Sequence, residues 1–66
     1  MELGIAKYFE SERDLEDAIG WCKAGIRLRI EHDGLVEGED FDWDDLIIKV
    51  REDRAVEVRL PLKRLL

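Results

Sequence analysis

The stretch EGEDFDWDD, residues 37–45, puts six carboxylates into nine positions. Asp40, Asp42 and Asp44 alternate there, which is the spacing of the first calcium ligands in an EF-hand loop. The rest of that loop is missing, because an aspartate stands where it needs glycine and Arg51 stands where it needs a bidentate glutamate. The three aspartates are therefore only weak candidates for a divalent metal, and the sequence predicts neither a metal site nor a cofactor.

The same run allows an electrostatic interpretation. Residues 1–45 carry five bases and fourteen acids, a balance of −9, and residues 46–66 carry six bases and three acids, a balance of +3, which gives −6 for the chain. An acidic surface attracts basic proteins and repels nucleic acid. The carboxylates, with Phe41 and Trp43 among them, could imitate phosphates to a basic partner. The pattern favours the plainer alternative, a solvated loop whose two aromatic side chains cap the core.

Catalytic residue types are scarce, since the chain has one Ser, one Cys, one His and one Tyr. Ser11 stands where a helix cap is needed, and Cys22 falls on an apolar stripe, where cysteine is usually a small core residue. His32 falls in a predicted turn. A Cys22–His32 pair across a folded sheet is conceivable, although no spacing requires it. The sequence therefore predicts a protein that is not an enzyme.

A strand and a helix are predicted for the first part of the chain. Apolar alternation over residues 3–9 is typical of a strand with one buried face. The letters SERD then begin a helix over 11–24, with Ser11 and Asp14 in a capping-box pattern, and Gly25 is predicted to end it as a left-handed cap. The apolar stripe of this helix recurs at i, i+3, i+4 and i+7, as Leu15, Ala18, Ile19 and Cys22.

Strands are predicted for most of the remainder. The alternation in IRLRIEH predicts a half-buried strand over 26–31, and a turn at Gly34 leads to a short strand over 35–37. The acidic loop occupies 38–45, and a hairpin follows over 46–60. Parity in the hairpin sets Leu46 opposite Leu60, Ile48 opposite Val58, Val50 opposite Val56 and, on the other face, Lys49 opposite Glu57.

These elements define the fold class. The order is β-α-β-β-β-β with the third strand short, and residues 1–66 are long enough for one domain only. One helix packed on a mixed or antiparallel sheet gives a small two-layer α+β sandwich. A chain this short buries a thin core, so a partner subunit would add needed stability.

Partner-binding candidates are the large apolar residues that these elements do not bury. The tail 61–66 is rich in leucine, and leucines exposed at a terminus are unfavourable in water, so the tail is expected to pack on its own core or on another subunit. Trp21 lies outside the helix stripe and is either part of a wider buried face or presented to a neighbour. The candidates are Trp21, Phe41, Trp43, Leu62, Leu65 and Leu66.

Composition indicates the environment. The sequence has no Asn, Gln or Thr, and scarcity of thermolabile residues with abundant charge predicts a thermophilic origin. A melting temperature in the ordinary range of about 45–65 °C would contradict this expectation. The single cysteine allows no internal disulfide. The beginning of the chain resembles neither a signal peptide nor a membrane span, so a cytoplasmic location is expected.

These observations lead to one hypothesis and one alternative. The first is a small non-enzymatic protein-binding module that associates with itself. The alternative is an acidic inhibitor or antitoxin-like protein that occupies the basic site of a nucleic-acid enzyme. The acidic composition argues against nucleic acid as a direct partner, because phosphate binding requires an excess of positive charge.

Overall fold

The computed structural model describes residues 1–63. A three-stranded antiparallel sheet carries one long helix on one of its faces, and the last strand in sequence is the central one. The chain is therefore a two-layer α+β sandwich, which confirms the predicted fold class. The elements are β1 (Glu2–Tyr8), a 3₁₀ turn (Glu12–Asp14), α1 (Leu15–Asp33), a second 3₁₀ turn (Trp43–Asp45), β2 (Ile47–Val50) and β3 (Ala55–Pro61).

Helix α1 is about one third longer than the sequence pattern predicts. It continues through Gly25, so the predicted strand over 26–31 is wrong. Ile26 and Ile30 extend the buried row at intervals of four residues. Burial of such a row stabilises the helix by more than its two interior glycines destabilise it. The buried row of α1 is Ala18, Cys22, Ile26 and Ile30.

Both ends of α1 differ from the prediction. Ser11 does not cap a backbone amide; its hydroxyl donates to the Asp14 carboxylate at 3.1 Å, and the 3₁₀ turn precedes the helix. At the other end Gly34 has φ +68°, and its N–H bonds back to carbonyls of the last turn. Gly34 is left-handed, as predicted, but it ends a helix. The predicted short strand 35–37 is absent from the described residues, and only a single bridge joins Glu37 to Phe41.

The hairpin of β2 and β3 confirms the predicted register. Lys49 lies opposite Glu57 as expected. The turn between the strands closes with Arg54 in a left-handed conformation, φ +60°. Its side chain donates to the carbonyl of Glu10 at 2.6 Å and so ties the turn to the segment after β1. The confirmed apolar pairs are Ile48 with Val58 and Val50 with Val56.

The core lies between α1 and the pair β1–β3. Helix α1 packs across β1 and β3, so the β3 side chains on that face are fully buried. Ile48 and Val50 share this face on β2, yet both are exposed because the helix does not reach them. The sheet therefore has two free edges, β1 and β2, of which only β1 lies close beneath the helix. The buried β3 side chains are Val56, Val58 and Leu60.

Candidate functional site

The acidic loop uses two of its aspartates for internal contacts. The Asp40 side chain is buried and accepts a hydrogen bond from the Val36 N–H at 2.8 Å. The Asp42 carboxylate forms an ion pair with Lys63 at 2.8 Å, and this hydrogen bond raises the pKa of Lys63. Within residues 1–63 no group of three or more His, Cys, Asp or Glu side chains converges as metal ligands would. We therefore do not propose a metal site at Asp40, Asp42 and Asp44.

The two aromatic residues of the loop cover the end of the core. Phe41 is 2% exposed, so its ring lies in the core of this chain and is not presented at the surface to a partner. Its ring meets Trp43 edge to face, with centroids 5.3 Å apart. Trp43 is half-buried, and the Arg27 guanidinium lies 5.6 Å from its ring centroid. The loop thus folds back onto α1, the plainer of the two alternatives drawn from the sequence.

The thiol and the imidazole do not meet. Cys22 and His32 lie on the same helix ten residues apart, which separates them by about 15 Å along the axis. Burial raises the pKa of the Cys22 thiol, although Lys7 opposes the shift, and a protonated, buried thiol is a poor nucleophile. The His32 Nδ1 contacts the Asp33 carboxylate at 3.0 Å in an exposed position. Cys22 thus lies in the core, and His32 lies at the surface.

The leucine tail falls partly outside the described residues. Pro61 is the last residue of β3. Leu62 is half-buried against the core, and its N–H donates to the Met1 carbonyl at 2.9 Å, which continues the β1–β3 pairing. Leu62 therefore packs on its own chain. Leu65 and Leu66 lie outside the described residues.

Several cations of the second half are already paired with carboxylates. Arg51 bonds both Asp53 at 2.7 Å and Glu57 at 3.0 Å, and the charge of Asp53 is the main cause of its raised pKa. Arg59 bonds Glu57 at 2.8 Å and approaches Glu2 at 3.8 Å. These pairs spread opposite charges over the open face of the sheet. Such a face is a poor surface for phosphates, which favour unopposed cations.

A different surface, between α1 and the edge of β1, carries the large exposed apolar side chains of the helix. Trp21 is 53% exposed and Leu28 is 68% exposed. The two are seven residues apart, so they lie on the same flank of α1. Lys7 from β1 places its ammonium 4.7 Å from the Trp21 ring centroid, a cation–π contact. We call this surface, formed by β1 and the adjoining flank of α1, the β1 flank.

Gly25 brings the helix and the strand of the β1 flank together. A Cβ atom built on Gly25 would overlap the Cδ1 atom of Ile5. The glycine predicted to stop the helix therefore permits its close approach to β1. A groove runs past this contact along the strand. Its lining includes Leu3, Ile5, Gly25, Leu28, Arg29 and His32.

Leu28 is the functional candidate that sequence reasoning missed. Alternation with Ile26 and Ile30 assigned it to the buried face of a strand, whereas in the helix it lies far from the buried row. Read as part of one long helix, Trp21 and Leu28 form an apolar pair at i and i+7 outside the core stripe. That spacing was the signal that could have found this surface.

The free edge of β1 presents unpaired backbone groups to the same surface. The Phe9 N–H donates to the Arg54 carbonyl and the Leu62 N–H donates to the Met1 carbonyl, both at 2.9 Å. Because antiparallel residues alternate in hydrogen bonding, odd-numbered residues of β1 bond β3 and even-numbered residues direct their N–H and C=O groups outward. The outward set is Glu2, Gly4, Ala6 and Tyr8.

The edge of β2 is shorter and differently lined. It has four residues, of which Ile47, Ile48 and Val50 are exposed and Lys49 is charged. A lysine on an edge strand opposes pairing with another strand. Strand β1 also carries a lysine, Lys7, but its ammonium lies over the Trp21 ring. The helix flank on this side contributes Ile19 and Gly20 together with charged Glu16 and Lys23. This edge therefore differs from the β1 edge in its length, four residues against seven, and not in a lack of exposed apolar side chains.

No helix among the described residues is long and apolar enough to span a membrane. Comparisons with protein-family models, with curated proteins and with solved structures find no match to this chain. The class that the fold and the surface define is a small α+β protein with an open sheet edge beside an apolar helix flank. Its function has to be inferred from that surface.

Proposed function

We propose that this chain is a non-enzymatic protein-binding module that associates with itself through the β1 flank. The observation that carries the proposal is the pair Trp21 and Leu28, both more than half exposed beside an unpaired strand edge. Large apolar side chains next to free backbone groups are unfavourable in water and favourable in an interface. Tryptophan is also enriched among residues that dominate binding energy.

The size of the protein supports the same proposal. A domain of 66 residues buries a smaller share of its surface on folding than a larger domain does, and association is one way in which small domains gain stability. In this chain the apolar surface available for association is already ordered on α1 and β1. Docking would therefore cost little conformational entropy compared with ordering a flexible segment.

The test is native mass by light scattering over a hundredfold range of protein concentration. We expect the wild-type chain to be a dimer or larger oligomer. Leu28→Asp places a charge in the proposed interface and should weaken association about a hundredfold or more, to a monomer at micromolar concentration. A wild-type chain that is monomeric throughout the range would contradict self-association.

Ile48→Asp is the matched control for the opposite edge. It makes the same change of an exposed branched aliphatic side chain to aspartate, and Ile48 is 42% exposed on β2. We expect Ile48→Asp to leave the native mass unchanged. If Ile48→Asp dissociates the oligomer and Leu28→Asp does not, the β2 edge is the interface.

A second candidate is the acidic inhibitor of a nucleic-acid enzyme. The feature that favours it is the set of loop carboxylates left exposed, Glu37, Glu39, Asp44 and Asp45. The candidate is weaker than its sequence pattern suggested, because Asp40, Asp42 and Phe41 take part in internal contacts. Recovery of a basic nuclease, polymerase or toxin on the immobilised chain, lost when the four exposed carboxylates are changed to amides, would support it.

A further inference from the structure

We infer that the β1 strands of two copies pair antiparallel about a two-fold axis at Ile5, which joins the two sheets into one of six strands. This inference rests on the proposed self-association and specifies its geometry. The partner it requires is a second copy of this chain. In this arrangement Gly4 of one copy lies opposite Ala6 of the other, and Trp21 of each copy packs near Leu28 of its partner.

The backbone of β1 favours this register. The outward N–H and C=O groups belong to Glu2, Gly4, Ala6 and Tyr8, so these residues must form the hydrogen-bonded pairs. A two-fold axis perpendicular to the sheet can then pass through Ile5, the middle residue of β1. This register pairs all seven residues of the strand, and it sets Glu2 opposite Tyr8 and Lys7 opposite Leu3, without like charges facing each other.

The position of α1 agrees with that axis. Helix α1 lies over β1 and β3, so two copies related through paired β1 strands would hold their helices about two strand spacings apart. With strands about 4.8 Å apart, this distance is about 10 Å, within the 8–10 Å range of packed helices. The helices would run antiparallel on the same face of the joined sheet.

The two-fold axis brings the residues on the helix flank of one copy against complementary residues on the same flank of the other copy. Gly25 lies over Ile5 and therefore at the axis, where a small residue lets two helices approach. Trp21 precedes Gly25 by four residues and Leu28 follows it by three, so Trp21 of one copy falls beside Leu28 of the other. The same operation brings two exposed tryptophans and two exposed leucines into one continuous apolar contact.

Charges at the two ends of the flank also match. Asp17 lies beside Trp21 on the surface near the beginning of α1. Arg29 and His32 lie near its end, where both contact Asp33 of the same chain. The antiparallel arrangement sets Asp17 of one copy close to Arg29 and His32 of the other. At each end of the contact Asp17 would then share the Arg29 guanidinium with Asp33, an opposite charge that is partly paired within its own chain.

Cysteine substitution on the open face of the sheet tests the register. Gly4 and Ala6 are both exposed, and a Cβ at Gly4 would meet only the Arg59 side chain at the ordinary distance of 3.8 Å. A hydrogen-bonded antiparallel pair has Cα atoms about 5.5 Å apart, within disulfide range. We expect a mixture of Gly4→Cys and Ala6→Cys chains, one carrying a mass tag, to form a covalent heterodimer under oxidation. The wild-type chain, whose Cys22 is buried, is the control.

Each variant alone distinguishes the neighbouring registers. Gly4→Cys by itself and Ala6→Cys by itself should form at least tenfold less covalent dimer than the mixture, because identical positions then lie diagonally, beyond disulfide range. Efficient cross-linking of either variant alone would place the two-fold axis at that residue, Gly4 or Ala6, and would overturn the Ile5 register. Absence of cross-linking in a wild-type chain that light scattering shows to be a dimer overturns β1 pairing and leaves self-association standing. A monomeric chain overturns both.

Discussion

The two tryptophans lie against opposite flanks of α1, and they differ in how far the rest of the chain buries them. Trp43 packs edge to face on the buried Phe41 and lies under the Arg27 guanidinium, so the loop after α1 covers the helix surface around Arg27. Trp21 has only the Lys7 ammonium over its ring and stays half exposed on the β1 side. The loop thus covers the part of the β2-side flank around Arg27, and Ile48 beside the first half of α1 stays exposed. Within residues 1–63 no loop covers Trp21 and Leu28 on the other flank in this way.

The two sheet edges repeat this difference. The edge of β2 is four residues long and carries Lys49, a common protection of an edge against further pairing. The edge of β1 is seven residues long and has small Gly4 and Ala6 among its outward backbone groups. Both edges carry a lysine, but the Lys7 ammonium of β1 lies over the Trp21 ring. The longer β1 edge with its small residues is therefore the physical reason to propose self-association through the β1 flank.

The largest expected effect separates the two aromatic sites. Phe41→Ala should lower the free energy of unfolding by about 3–5 kcal/mol, because it empties a buried ring site in the core. Trp21→Ala should lower it by about 1 kcal/mol or less, the value of an exposed contact with a cation. Urea denaturation in the dissociated Leu28→Asp background measures both without the contribution of association.

Equal destabilisation of the Leu28→Asp background by Phe41→Ala and Trp21→Ala would contradict the difference expected between a core site and a surface site. Equal losses would mean that Trp21 belongs to the core and that the β1 flank is not a free surface. For Trp21→Ala in the wild-type background, the expected result is weaker association with little loss of monomer stability. That difference distinguishes an interface residue from a core residue.

An intermediate effect comes from the two glycines in the interior of α1. Gly25→Ala should destabilise the monomer by about 1–3 kcal/mol, because the new Cβ overlaps Ile5. Gly20→Ala should stabilise it by about 0.5–1 kcal/mol, since no atom outside the helix backbone lies within 4 Å of that position and alanine favours helix. Thermal unfolding of both variants in the Leu28→Asp background shows whether each substitution raises or lowers the stability of the monomer.

The pair of glycine variants is internally controlled, because the chemical change is identical. Stabilisation by both would mean that Ile5 moves aside easily and that helix and strand are not held together at Gly25. Destabilisation by both would place the Gly20 flank against an unrecognised neighbour. Only opposite signs agree with a close contact on the β1 side and open space at Gly20.

The hairpin could be predicted from sequence because two independent patterns agree there. Apolar parity alone sets Ile48 against Val58, and the charges of Lys49 and Glu57 support the same register. A shift by one residue would turn the apolar set of β3 to the open face. The loop aromatics were also predictable in part, since a core so small needs covering side chains beyond the sheet and the helix.

The second half of α1 could not be predicted because its apolar residues fit both the two-residue period of a strand and the roughly 3.6-residue period of a helix. Ile26 and Ile30 fit a strand by alternation and a helix by their spacing of four. Leu28 favoured the strand prediction, because Ile26, Leu28 and Ile30 are alternate residues and would all lie on one buried face of a strand. The structure places Leu28 at the surface. A surface leucine, here a residue of the proposed interface, thus imitates a core residue in its alternation, and local patterns fail most readily at functional positions.

The smallest effect concerns Glu57, which links the two sides of the sheet through the central strand. Burial opposes its ionisation, but hydrogen bonds and charges from Arg59 and Arg51 hold the pKa of Glu57 below its ordinary value. A lowered folded-state pKa means that Glu57 stabilises the fold above its ordinary pKa and loses this contribution as pH falls through the folded value. The wild-type chain should therefore exceed Glu57→Gln in stability near pH 7, and the difference should shrink below about pH 4.5.

Urea denaturation between pH 2.5 and 7 measures that difference, and Glu52→Gln in the neighbouring exposed turn is the control. A Glu57 difference independent of pH would assign its effect to packing, since glutamine keeps the shape and loses the charge. Arg51 follows β2 directly, whereas Arg59 reaches β1 through a longer contact to Glu2. Protonation of Glu57 should therefore loosen the β2 edge first, which hydrogen exchange in the Leu28→Asp background resolves strand by strand. Loosening of β1 first would mean that the Arg59 contact with Glu2 depends more on ionised Glu57 than the Arg51 bond does.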